Sequence, residues 1–122
     1  MPRIARVVAV DFPHHITQRG NYKQKIFRNR ESYITYSSYI NEYAKKYELS
    51  ILAYCLMPNH IHFIVIPKNF NSMSKTFCIS NTRYVQHINK LKGEKGRLFE
   101  GRYYSTVLSK DHLVEAIRYV EL

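Results

Sequence analysis

Apolar and polar positions along the 122-residue chain change period several times, and each change marks an element. Residues 3–10 lead into 12–21, where β-branched residues alternate with polar ones up to Gly20. This predicts a first strand ending in a glycine turn. From residue 30 to 47 the apolar and aromatic positions are Tyr33, Tyr36, Ile40, Tyr43, Ala44 and Tyr47, a spacing that draws one helical face. Residues 49–57 read as a second strand, and Pro58-Asn59 as a tight turn into a third that begins at His60. The two are expected to pair antiparallel, and their dense apolar content places both centrally in a sheet. A polar stretch at 68–72 then starts a second helix, with Met73, Phe77, Ser80, Tyr84, Ile88 and Leu91 on one face and Gly93 as its stop. Residues 98–108 are the next strand candidate, with Gly101 as a bulge or a point of close backbone approach. Ser109 suits the N-cap of a last helix running to the end.

The order β-α-β-β-α-β followed by α predicts an α+β fold: a ferredoxin-like split βαβ antiparallel sheet with an added C-terminal helix. A chain of this length is expected to form one domain over 1–122. In the third strand Ile61, Phe63 and Val65 share the face turned to the two packed helices. His60, His62, Ile64 and Ile66 share the other. Those isoleucines need a cover, and the last helix is the obvious one. At ~100° per residue, its apolar stripe is Leu113, Val114, Ile117 and Val120, while His112, Glu115 and Tyr119 lie on a more polar face.

Charge narrows the partners. Nineteen Lys and Arg against nine Asp and Glu give a formal charge of +10, which points to polyanions. No apolar run approaches the ~18 residues of a membrane span, and the amino terminus lacks a signal-peptide core, so a cytoplasmic protein is expected. Cys55 and Cys78 match no metal spacing and are read as reduced, structural thiols in apolar surroundings. Gln18, Arg19, Asn21 and Lys25 make the loop after the first strand basic. Lys90, Lys92, Lys95, Arg97 and Arg102 cluster after the second helix, interleaved with Phe99, Tyr103 and Tyr104. Such clusters either meet phosphates or are simply solvated. The tyrosine stripe of the first helix, at helical period, belongs to the core.

Candidate chemistry centres on His60-Ile61-His62. Two imidazoles on one face of a strand can grip a cation, and the competing reading is a strand that holds two hydrogen-bonded histidines. His15 falls near the middle of the first strand, where it can lie beside that pair. Tyr119, off the apolar stripe of its helix, is open to two readings, an interface ring or a reactive group.

These motifs occur together: Leu56-Met57-Pro58-Asn59 before His60-Ile61-His62, and His15-Ile16-Thr17-Gln18-Arg19-Gly20-Asn21 upstream. Leu98-Phe99-Glu100-Gly101-Arg102-Tyr103 and Ile117-Arg118-Tyr119-Val120-Glu121-Leu122 follow downstream. In this order they resemble the single-tyrosine transposases of the HUH superfamily, within the insertion-sequence-200-like family and its REP-associated branch. The resemblance spans nearly the whole chain. It implies a DNA transposase that cleaves and joins single-stranded DNA, often at a hairpin, with His60 and His62 on a divalent metal and Tyr119 as nucleophile forming a 5′-phosphotyrosine. Arg19, Lys92, Lys95, Arg97 and Arg102 are the DNA-binding candidates, and His15, His112, Glu115 and Glu121 the supporting ones. Imidazole with phosphate and water suits Mg²⁺ in cells or Mn²⁺ in assays, with zinc as an alternative. The family's third ligand, one helical turn after the tyrosine, falls at position 123, so the chain is expected to end short of the full family domain. Related proteins act as homodimers or as monomers, and both arrangements stay open. The second functional class is a nucleic-acid-binding module without cleavage, such as a decayed transposase, recognised by salt-dependent binding without a covalent product. The chain lacks the Gly-aromatic signature of an RNA-recognition motif.

Overall fold

The computed structural model describes residues 7–121, apart from the side chains of Lys23, Lys110 and Glu121. Its elements are β1 (His14–Arg19), α1 (Arg30–Lys46), β2 (Leu49–Met57), β3 (His60–Pro67), α2 (Ser72–Lys92), β4 (Tyr104–Val107) and α3 (Lys110–Glu121), with a 3-10 turn at Asn21–Lys23. The strands lie in the order β2-β3-β1-β4, and every pair is antiparallel. This is the α+β, ferredoxin-like arrangement with a third helix added.

Local chemistry sets the helix limits. Asn29 and Ser32 form a reciprocal capping box at the start of α1: Ser32 N–H donates to Asn29 Oδ1 at 2.9 Å, and Asn29 N–H donates to Ser32 Oγ at 3.3 Å. Gly93 ends α2 in the left-handed region at φ 67°, where a side chain would be strained.

Packing follows the alternation of β3. Ile61, Phe63 and Val65 join Ile16, Tyr36, Ile40, Met73, Phe77, Tyr84 and Ile88 in the main core beneath α1 and α2. Ile64, on the other face, is fully buried with Ala53 and Val120, and Leu113, Ala116 and Ile117 of α3 close over them. The last helix therefore covers the second face of the sheet. An amide relay ties the layers together. Tyr36 Oη donates to Asn81 Oδ1 (2.7 Å), Asn81 Nδ2 to Gln18 Oε1 (2.6 Å), and Gln18 Nε2 to the Gly101 carbonyl (2.9 Å).

Six expectations are corrected. The last strand is only Tyr104–Val107, because Gly101 takes a positive φ and the chain before it touches the sheet through an isolated bridge between Phe99 and Gly20. The first strand starts at His14, after a turn with Asp11 at φ 68°, and residues 3–6 lie outside the described residues. Strand β2 is an edge strand. Its apolar content reflects cover on both faces, by α1 on one and α3 on the other. Val114 points to solvent and Ala116 takes its place in the stripe of α3, while Leu91 is exposed at the end of α2. Cys78 is exposed rather than set in apolar surroundings, whereas Cys55 packs against the α3 cluster.

Truncating Ile64 tests the cover of the second face. Ile64→Ala is expected to cost about 2–5 kcal/mol, read as a lower midpoint in urea unfolding, because the buried side chain leaves a cavity between β3 and α3.

Candidate active site

The strand register assembles the histidine face. His62 lies opposite Thr17 on β1 and Cys55 on β2, while His60 lies opposite Arg19 and Met57. His15 lies opposite Ile64. Directly opposed residues project to the same side of a sheet. Arg19, Thr17 and His15 therefore share the face of His60 and His62, which is the face that α3 partly covers.

Hydrogen bonds orient the imidazoles. His60 Nδ1 is 2.7 Å from Asn59 Oδ1, an atom that only accepts, so Nδ1–H donates and the Nε2 lone pair is free. His62 Nδ1 lies 3.1 Å from His15 Nε2 and 3.4 Å from Thr17 Oγ1. Donation from His62 Nδ1–H to His15 leaves its Nε2 free as well. The rings of His60 and His62 meet edge to face at 4.9 Å, and those of His15 and His62 stack at 5.3 Å. Tyr119 descends from α3 onto this group, with its ring edge-on to His62 at 5.9 Å and to His15 at 6.4 Å. The Tyr119 residue remains 66% exposed.

Burial favours the neutral form of two of these rings. Burial, reinforced by the nearby His60, His15 and Arg19, lowers the His62 pKa to about 4. Burial also lowers that of His15. Neutral imidazole is the form that ligates a metal. The fit is with a two-histidine grip: His60 and His62 offer free lone pairs from one strand face, each held from behind by a hydrogen bond, as metal-ligating histidines are. Among the described residues no group of three His, Cys, Asp or Glu is placed to hold a metal.

The remaining candidates divide. His15 and Arg19 are brought to the histidine face. His112 is bonded to Ser109 Oγ at 2.6 Å in the first turn of α3, Glu115 is exposed, and neither joins the histidine pair in a cluster. The Glu121 side chain lies outside the described residues. Arg97 and Arg102 line a cavity of about 550 Å³ with Gln18 and Phe77, on the helical side of the sheet, and Lys92 and Lys95 lie at and just beyond the end of α2. Two contributors escaped sequence reasoning. Thr17 reaches His62, and Asn59, read only as a turn residue, orients His60. The signal for Thr17 was its spacing of two from His15, which places both on one strand face.

Residues 9–122 match the family described as transposase, IS200-like. The chain belongs to the IS200-like transposase family. This IS200-like transposase is thereby assigned to DNA transposition. No curated protein matches it by sequence. Among solved structures, it is similar to a REP-associated tyrosine transposase bound to a REP hairpin. The TM-score is 0.77 at 15% identity over 98% of this chain and 70% of that one. It is also similar to a candidate transposase from Deinococcus radiodurans R1, with a TM-score of 0.66 at 17% identity over 98% of this chain and 96% of the other. At these identities the likeness is one of fold. No helix among the described residues is long and apolar enough to cross a membrane.

The lowered imidazole values set a pH dependence. Buried His14 is also lowered, with Nδ1–H donating to the Phe12 carbonyl and Nε2 accepting from Ala9 N–H. A histidine whose folded value lies below the ordinary 6.5 binds its proton more readily when unfolded, so stability is full above pH 6.5 and falls as the pH drops towards 4. Metal-free protein is expected to show a thermal midpoint that decreases between pH 7 and pH 4. The NMR titration of the His62 ring should have its midpoint near 4, and a midpoint near 6.5 would contradict the burial assigned to it.

Proposed function

We propose that this IS200-like transposase cleaves single-stranded DNA through Tyr119 and rejoins it, at a hairpin-bearing substrate, using a divalent ion held by His60 and His62. The observation that carries the reading is the packing of the Tyr119 ring edge-on against His62, beside the free lone pairs of the histidine pair. The hairpin in the REP-associated relative supports a DNA partner of that shape.

In the forward step the Tyr119 oxygen attacks the scissile phosphorus. A new bond from the tyrosine oxygen to phosphorus forms, the bond from phosphorus to the 3′ oxygen breaks, and that oxygen takes up a proton as a free 3′-hydroxyl. The product is a 5′-phosphotyrosine. A phenol has an ordinary pKa near ~10, and the exposure of Tyr119 lets its proton pass to solvent. Mg²⁺ or Mn²⁺, when bound, supplies charge neutralisation at the non-bridging phosphate oxygens. The hydrogen bonds that His60 and His62 donate to Asn59 Oδ1 and His15 Nε2 hold the two imidazoles in one orientation, so that they need no rearrangement during attack. Arg19 adds a cation on the same face, where it counters phosphate charge. The bond energy kept in the phosphotyrosine allows a second 3′-hydroxyl to reverse the step and join new ends. On this reading one copy uses its own tyrosine and histidines, an arrangement supported by the contact of the Tyr119 ring with His62 and His15 of the same chain.

Incubation with single-stranded DNA hairpins and Mn²⁺ is expected to yield a protein–DNA adduct on denaturing gels, mapped by mass spectrometry to Tyr119. Tyr119→Phe should give none, EDTA should abolish it, and His60→Ala should slow its formation about a hundredfold or more. An adduct that survives Tyr119→Phe overturns the nucleophile. Absence of any adduct, with salt-dependent DNA binding retained, favours a non-cleaving binding module. A mixture of the two variants should stay inactive, and restored cleavage would place the tyrosine of one copy on the histidines of another.

A further inference from the structure

Three aromatic residues are interleaved with the basic residues after α2, and the fold separates them. Phe99 and Tyr103 are buried in the main core. Tyr104 is 71% exposed, and no stacking partner faces its ring among the described residues. The core does not need it. An edge strand is served equally well by threonine or lysine at an outward position.

Its position follows from the ladder. Tyr104 lies opposite Thr17 on β1, so the two side chains leave the sheet on the same side. The contact of Thr17 Oγ1 with His62 Nδ1 identifies that side as the histidine face. One row across the sheet thus reads Tyr104, Thr17, His62 and Cys55. Tyr104 stands two strand spacings, about 10 Å, from His62. The two ends of the row differ. Helix α3 packs on β2 and β3 and covers the Cys55 end, whereas the β4 end is open. Arg19 is exposed on the same face, opposite His60.

We propose that Tyr104 is a base-stacking residue that holds a nucleobase of the single strand beside the phosphate lying between His60, His62 and Tyr119. This rests on the function proposed above. The strand crosses the open half of the sheet, from the β4 edge towards the seam where α3 meets β3. A phosphate on that path passes Arg19 and a base lies flat on the Tyr104 ring. Stacking on an aromatic ring tolerates any base, so Tyr104 fixes the depth of the strand in the site rather than its sequence.

The test uses the full chain in EDTA, so that no cleavage occurs, and two fluorescent DNA hairpins of equal charge. One carries unpaired thymidine tails, and the other carries tails of abasic residues with the same phosphates. Loss of one stacked base is expected to lower affinity about 5- to 150-fold. Tyr104→Ala should therefore weaken binding of the thymidine-tailed hairpin at least about fivefold and leave the abasic-tailed one within about twofold, while Tyr104→Phe and Tyr104→Trp bind as the wild type does. An unchanged thermal midpoint in Tyr104→Ala establishes that its fold is intact. Equal loss on both tails, or no loss on either, overturns the proposal. A protein that forms the Tyr119 adduct but shows no tail-dependent loss keeps the proposed function and loses this one. A tail-dependent loss without any adduct leaves Tyr104 as a stacking residue and removes the cleavage mechanism.

Discussion

Strand β3 carries buried apolar side chains on both faces, and the rest of the molecule answers to that constraint. Ile61, Phe63 and Val65 turn to the helices α1 and α2, which leaves Ile64 on the opposite face and in need of a cover. Burying one such side chain stabilises by about 1.5–3 kcal/mol, enough to hold a short helix when several residues of α3 act together. Val120 supplies the matching contact from α3. Tyr119 is its neighbour in sequence, so the packing that satisfies Ile64 also delivers a phenol to the histidines. The alternation of one strand thereby sets both halves of the site.

A chain of charge +10 that places three imidazoles side by side risks accumulating still more positive charge. Partial burial counters this at His15 and His62 by favouring their neutral rings, most strongly for His62. Neutrality has a chemical benefit too, because lone pairs on Nε2 remain available. The positive character of the face then comes from Arg19, whose guanidinium has no lone pair to compete for the coordination positions of the histidines.

The sequence was most legible where a period persists. The α1 and α2 patterns run for several turns between clear stops, and β2 and β3 are joined by a turn with no spare residue, so their limits follow closely. Legibility failed where partners distant in sequence decide the outcome. The segment before Tyr104 reads as strand by composition, yet the Gly101 turn and the tie from Gln18 to its carbonyl pull it out of the ladder. Val114 and Ala116 exchange places because the sheet beneath α3 offers a narrow strip rather than a broad face. For the site, His60, His62 and Tyr119 were visible as residue types at telling positions. The bond between His15 and His62 was not, since it depends on the register of β1 against β3, and no local pattern in either strand specifies that register.

The seam between α3 and the sheet is a satellite of the main core, formed by three buried residues and a few partly buried neighbours. Units attached in this way open at a lower free energy than the whole domain unfolds. Lifting α3 would leave the sheet, α1, α2 and the amide relay from Tyr36 to Gly101 in place. The imidazoles would stay aligned on β3, and the Tyr119 ring would leave them. The contact of Tyr119 with His62 and His15 therefore depends on the docking of one helix.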